Sequence, residues 1–195
     1  MNLKSIEPLL GFLAVLTGAI ALPLTAFASI PEGTWVSTCQ DGLSKLQIIT
    51  EGTHSQTIEQ FHQDRLCQRP SFVFITSGTL YFPNENSNLI DFTYTDIQLI
   101  VHVDEVIRDF NEREVCGLSN WKKSVPQTIT GLNCALFNIH KPTTIPQAGG
   151  TKFGIYKLEN DTLFYGRLSK ENDSSTPEKR PTDYEFKGYK KQKPE

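Results

Sequence analysis

Apolar and polar residues alternate along most of this chain, which is typical of β-strands that turn one face toward a core. The alternation is clearest near the middle, where Ile97, Leu99, Val101 and Val103 occupy every second position. Turn-forming residues separate the alternating segments, and tight hairpins are expected at 51–53 and 159–161. We predict strands over residues 33–39, 46–50, 56–64, 71–82, 89–103, 153–158, 162–168 and 184–189. The pattern therefore predicts an all-β domain of about eight to ten strands, an antiparallel barrel or sandwich.

One segment departs from this alternation. Residues 104–114 place Val106, Ile107 and Phe110 near helical spacing with charged residues between them. We predict a single short amphipathic helix here, with Asp104 as its N-cap and its charges on a solvated face. Prolines and glycines are frequent from there to Gly150, so a loop-rich insertion is expected around residues 104–150.

The first 28 residues have the order of a secretory signal peptide. Lys4 precedes an apolar run over 9–24, and Ala26-Phe27-Ala28 offers small residues at the two positions that a signal peptidase reads. A membrane anchor is the alternative, but a run of about 16 residues is shorter than the ~20 needed to span a bilayer. We predict cleavage after Ala28, leaving residues 29–195 as one secreted or periplasmic domain that does not span a membrane.

All four cysteines, Cys39, Cys67, Cys116 and Cys134, follow this segment. An even number of cysteines in an exported chain indicates disulfides. Three pairings are possible, and proximity along the chain favours Cys39–Cys67 and Cys116–Cys134. A zinc site is the alternative, but there is no C-x-x-C pair and the four histidines lie at no ligand-like spacing from the cysteines. We therefore expect structural disulfides, and neither a metal nor a cofactor.

Charge and motifs argue against several classes of function. The net charge of −3 does not suit a nucleic-acid-binding protein, which would show a dominant basic face. A G-x-S-x-G nucleophile elbow and a glycine-rich phosphate loop are both absent from the sequence. Carboxylate pairs such as Asp64 with Asp91 carry no spacing that would bring them together. We predict that the protein is not an enzyme, and name no catalytic residue.

Gly33-x-Trp35, on the first predicted strand, resembles the G-x-W signature of the lipocalins and the wider calycin superfamily. Together with Cys39 and Asp64-x-x-Cys67, the block is similar to the lipocalin-like domain of the Wnt antagonists named for adenomatosis polyposis coli down-regulation. Uncharacterised secreted bacterial proteins share that pattern. The resemblance implies an eight-stranded barrel, here with an insertion, because typical lipocalins carry their main helix after the eighth strand.

The same resemblance implies how the barrel is closed. In that family the Trp closes the narrow end, and a basic residue near the last strand stacks over it. Arg167 and Arg180 are the candidates for this partner, and we assign the barrel-closing signature to Gly33, Trp35 and Arg167.

The aromatic residues of the predicted strands suggest a ligand cavity. A barrel of about eight strands is just wide enough to be filled by its own side chains or to hold one small ligand. Our first hypothesis is an exported barrel that binds a small apolar or lipid-like molecule. The candidate lining residues are Phe72, Phe74, Tyr94, Tyr156 and Tyr165.

Two other classes of function stay open at this point. One is a protein-interaction module with a solid core, such as a secreted protease inhibitor, although residues 29–32 are a short arm to insert into a protease cleft. The other is an eight-stranded outer-membrane barrel, but residues 72–75 are apolar on both faces whereas such barrels alternate a lipid face with a polar lumen.

Overall fold

The computed structural model describes residues 31–39, 44–84, 87–136 and 140–193, so the predicted signal peptide and its cleavage site lie outside the described residues. One α-helix, α1 (Asp104–Glu112), is present, and short 3₁₀ turns occur at Val115–Gly117 and Pro177–Lys179. The strands are β1 (Gly33–Val36), β2 (Ser44–Glu51), β3 (His54–His62), β4 (Pro70–Tyr81), β5 (Leu89–Val101), β6 (Gln127–Thr128), β7 (Asn133–Cys134), β8 (Thr143–Thr144), β9 (Thr151–Glu159), β10 (Thr162–Tyr165) and β11 (Tyr189–Lys191).

Eight of these strands close an antiparallel barrel. Each strand from β1 to β5 pairs with the next, β5 pairs with β9, and β9, β10 and β11 follow in order. The ring closes where β11 returns to β1, with Trp35 opposite Lys191. The antiparallel barrel with one short helix, predicted from the alternation and the resemblance, is confirmed. Its architecture is consistent with a lipocalin-like fold.

Several boundaries differ from the predictions, among them the cap of the helix and the last strand. The helix begins at Asp104 with Val103 as its N-cap, so the assignment of Asp104 as the cap was wrong. Asp104 lies instead in the first turn, where a carboxylate favours the positive end of the helix dipole. The last strand is Tyr189–Lys191 rather than 184–189, because these later residues are the ones that pair with β10 and β1.

A bulge between β4 and β5 keeps one continuous face turned inward. Ser77 lies opposite Asp96 and Gly78 opposite Tyr94, so Thr95 is an extra residue, close to the bend predicted at Ser77-Gly78. A side chain at position 78 would meet the Phe92 ring at 2.3 Å and the carbonyl oxygen of Thr93 at 2.5 Å. Glycine is therefore required where the two strands approach.

The inward face carries two hydrophobic clusters. The first fills the end of the barrel around Trp35 and includes Ile48, Leu80, Ile90, Tyr156 and Leu163. The second lies on the half of β5 that continues past its pairing with β9. There the insertion between β5 and β9 packs Phe110, Trp121 and Ile129 onto Leu99 and Val101. The insertion thus covers the inward face of β5 where β9 no longer flanks it.

Both predicted disulfides are confirmed. Cys39–Cys67 joins the segment after β1 to the β3–β4 connection, and Cys116–Cys134 holds the insertion together beside the second cluster. They close loops of 28 and 18 residues. In the chain-entropy model each contributes about 3 kcal/mol by restricting the unfolded chain.

Trp35 forms the closed end of the barrel. Its indole is 2% exposed, and its Nε1 donates a hydrogen bond of 2.9 Å to the carbonyl of Pro31. The Lys191 ammonium lies 5.3 Å from the centre of the ring. Gly33, with φ of 109°, passes so close that a Cβ would lie 3.2 Å from Cε of Lys191. Glycine at 33 therefore allows the lysine to reach the indole.

We expect Trp35→Ala to lower the free energy of unfolding by about 3–5 kcal/mol, because it leaves a large cavity at the closed end. Urea denaturation followed by circular dichroism measures the change. Phe186→Ala is the control, since Phe186 is 84% exposed and its loss should cost no more than about 0.5 kcal/mol. Equal effects of the two substitutions would contradict the role given to Trp35.

Candidate ligand cavity

A cavity of about 310 Å³ lies inside the barrel, above the closed end. Ligand pockets usually measure about 300–1,000 Å³, so this cavity is at the small end of the range. Its volume corresponds to about ten water molecules. Much of its wall is apolar, formed by Leu46, Ile48, Leu80, Ile90, Phe92 and Leu168. The volume suits a small molecule with an apolar body.

The connection between β10 and β11 builds one side of this cavity. β10 pairs only with the second half of β9. On that side, the first half of β9 is flanked by residues 167–188 instead of a strand. The backbone N–H of Phe153 donates to the carbonyl of Ser174 at 3.0 Å. Leu168 and Glu185, on the same connection, line the cavity yet are exposed, so the cavity opens to solvent here.

Arg180 fixes this connection against the barrel. Its Nη1 donates to the carbonyl of Gly154 at 2.8 Å and lies 2.6 Å from a carboxylate oxygen of Asp91. The guanidinium also lies over the ring of Phe153, 5.3 Å from its centre. Both charged side chains of the ion pair are largely buried, so the pair is screened less than a surface pair would be. The wall of the cavity is held by charge and stacking together.

Three tyrosines line the cavity. They are Tyr94 on β5, Tyr165 on β10 and Tyr189 on β11. Burial raises the pKa of each, and the neighbouring carboxylates of Glu185 and Glu59 raise that of Tyr189 further. All three are therefore neutral at physiological pH and available as hydrogen-bond donors.

Lys152 is the cation of the cavity wall. It lies on β9 opposite Phe92, on the inward face of the strand. Its side chain lines the cavity and is exposed to solvent, and partial desolvation lowers the pKa of its ammonium group. Glu59, inward-facing on β3, shows the complementary effect, because burial raises the pKa of its carboxyl group.

The structure divides the predicted lining residues between three places. Tyr94 and Tyr165 line the cavity, whereas Tyr156 packs into the cluster around Trp35. Phe72 and Phe74 face inward but pack against the insertion, because they lie on the half of β4 that pairs with the second half of β5. Phe72 also lines a second hollow of about 210 Å³ beside α1.

The predicted basic partners of Trp35 lie elsewhere. Arg167 is placed over the ring of Phe186, 4.8 Å from its centre, and pairs with Asp183 at 3.3 Å. Arg180 lies against β9, as described above. Lys191 is the cation that faces the indole, and sequence reasoning missed it because the lysines near the end of the chain look like a solvated tail.

Sequence reasoning also missed Lys152 and Ser174. A signal for Lys152 was present, because it shares the parity of Tyr156 and Leu158 on β9 and is therefore a charged residue on an inward face. Ser174 had no comparable signal, since its position depends on how the 167–188 connection folds back onto β9.

Among the described residues, no group of three or more His, Cys, Asp or Glu side chains is placed to hold a metal ion. None of the helical segments described is long and apolar enough to cross a membrane.

No known family model matches the chain, and no curated protein matches it.

We expect Lys152→Met to raise the free energy of unfolding of the ligand-free protein at pH 7. The reason is that an apolar side chain of similar length avoids the cost of a desolvated charge. The lowered pKa makes this cost greatest below the folded-state pKa of Lys152. The gain should shrink as the pH rises through that pKa and level off near 10.5, the ordinary lysine value.

Urea denaturation of both proteins at several pH values measures this difference. Lys157→Met is the matched control, because Lys157 is on the same strand but on the outer face, paired with Glu159. It should give no gain at any pH. A Lys152→Met protein that is less stable than wild type at pH 7 would contradict the cost assigned to the partly desolvated charge.

Proposed function

We propose that this protein is an exported, non-catalytic binding protein that holds a small apolar or lipid-like molecule in the barrel cavity. The observation that carries the proposal is the cavity itself. It is closed at one end by Trp35 and its neighbours, apolar over much of its wall, and open to solvent beside residues 167–188. Barrels of eight strands are known to hold one small ligand in this way.

The chemistry of the wall supports binding through burial of apolar surface. Each Å² of apolar surface that a ligand buries contributes about 25 cal/mol before the costs of ordering are subtracted. Leu46, Ile48 and Ile90 offer such surface at the inner part, whereas Tyr94, Tyr165 and Lys152 add polar groups that can orient a ligand. This combination is typical of ligand pockets, which are mostly apolar with a few placed polar groups.

The two disulfides support export to an oxidising compartment, secreted or periplasmic, as the N-terminal sequence also predicts. The rival hypothesis of a protein-interaction module assumed a barrel filled by its own side chains. An open cavity of about 310 Å³ favours ligand binding over that reading.

The proposal is tested by filling the cavity. Thr57 lines the cavity from β3, and its neighbour Ile58 points to the outer face. We expect wild type and Ile58→Trp to bind the neutral fluorescent probe N-phenyl-1-naphthylamine, and Thr57→Trp to bind it at least about tenfold more weakly. The reason is that the new indole takes up much of the space available to a ligand.

Fluorescence titration of the three proteins gives the dissociation constants, and circular dichroism verifies that each is folded. Native mass spectrometry of protein purified from the exporting cell adds an independent reading, because a bound molecule appears as a discrete extra mass. Absence of probe binding by wild type, or equal binding by Thr57→Trp and Ile58→Trp, would overturn the proposal.

A further inference from the structure

Among the residues that the structure describes, no carboxylate serves as a counter-ion for the ammonium group of Lys152. Within the ranges that the structure describes, it makes no hydrogen bond and no ion pair, although it lines the cavity. Lys157, five positions later on the outer face of β9, has several partners. It pairs with Glu159 at 3.0 Å and lies over the rings of Phe164 and Tyr184. The inward lysine is thus the one without a protein partner on this strand.

Ser174 is a second unsatisfied polar group on the same wall. It is 2% exposed, lines the cavity, and its Oγ has no hydrogen-bond partner among the described residues. Its carbonyl accepts the hydrogen bond from Phe153, the residue after Lys152, so the two residues lie on adjacent stretches of backbone. Buried hydroxyls are normally hydrogen-bonded, and one left unpaired costs about 1–3 kcal/mol.

Both groups can donate a hydrogen bond, and one of them is positively charged. The carboxylates near the cavity do not satisfy them. Glu185 lies on the exposed side of the mouth, and Glu59 on β3 interacts with Tyr189. Only burial shifts the pKa of Lys152, with no contribution from a neighbouring carboxylate. Lys152 and Ser174 therefore both lack an acceptor within the described residues, and one that carries negative charge would also pair with the ammonium group.

We propose that the ligand of this cavity carries an acidic oxyanion on an apolar body, and that Lys152 Nζ and Ser174 Oγ bind the oxyanion while the apolar wall receives the body. This inference rests on the proposed function and specifies the ligand class. A medium-chain carboxylate is the simplest molecule of that class, with a head that accepts several hydrogen bonds and a tail that suits a cavity of about 310 Å³.

The inference is tested with two ligands that differ only in the head, octanoate and 1-octanol, by isothermal titration calorimetry at pH 7. We expect wild type to bind octanoate more tightly than 1-octanol. Lys152→Met should weaken octanoate about tenfold or more and change 1-octanol by less than about threefold, because only the carboxylate uses the charge. Ser174→Ala should weaken octanoate by about threefold to tenfold.

Lys157→Met is the control for net charge and should bind both ligands as wild type does. Lys152→Arg, which keeps the charge, should recover part of the octanoate affinity. Binding of N-phenyl-1-naphthylamine to every variant shows that the cavity is intact and does not depend on the charge.

The outcomes separate the two proposals. If wild type binds the neutral probe but prefers 1-octanol, or if Lys152→Met weakens both ligands alike, the acidic ligand class is wrong and the binding function stands. If Lys157→Met weakens octanoate as much as Lys152→Met does, the effect is one of overall charge and the assignment of Lys152 is wrong. If wild type binds neither probe nor either octyl ligand, both proposals fail.

Discussion

The interior of this protein exists because β11 returns to β1 and closes the ring of strands. That return is short, since Trp35 and Val36 are the two described residues of β1 that pair with β11. Side chains reinforce it, because Lys191 reaches over the Trp35 indole and Gly33 leaves it the space to do so. With the ring closed, the backbone groups of the edge strands are paired rather than exposed. The inward face then becomes a core at one end and a cavity above it.

The bulge at Thr95 and the insertion together keep the inward face of the second half of β5 covered. β5 extends beyond its pairing with β9, which involves only residues 89–93, so β9 does not flank the second half of β5. The bulge keeps Ile97, Leu99 and Val101 on that face, and the insertion covers them with its own aromatic residues. The Cys116–Cys134 disulfide holds the insertion closed. The cavity is consequently confined to the part of the barrel that the insertion does not fill.

The strands could be predicted because alternation along a strand reflects which face meets the core, and this is a local property of the sequence. The disulfide pairing followed from separation along the chain, which sets the entropy of loop closure. The partner of Trp35 could not be predicted in the same way, because Lys191 has the composition of a solvated tail and only closure of the ring makes it internal. The predicted lining residues Phe72 and Phe74 do face inward, but they lie beside the second cluster rather than beside the cavity. Alternation tells which face of a strand a residue is on, and it does not tell how far along the barrel axis the residue lies.

Lys152 affects both the stability of the barrel and its proposed function. A strand that turns Tyr156 and Leu158 inward would be more stable with another apolar residue at position 152, because a desolvated charge lowers the stability of the ligand-free fold. Unpaired polar groups in a largely apolar wall are typical of sites where the missing partner arrives with a ligand, since function is often what keeps a locally unfavourable residue. Ser174, on the neighbouring backbone, is also a polar residue whose side chain lacks a hydrogen-bond partner among the described residues. The polarity of this wall is thus better explained by what the cavity binds than by what holds the barrel together.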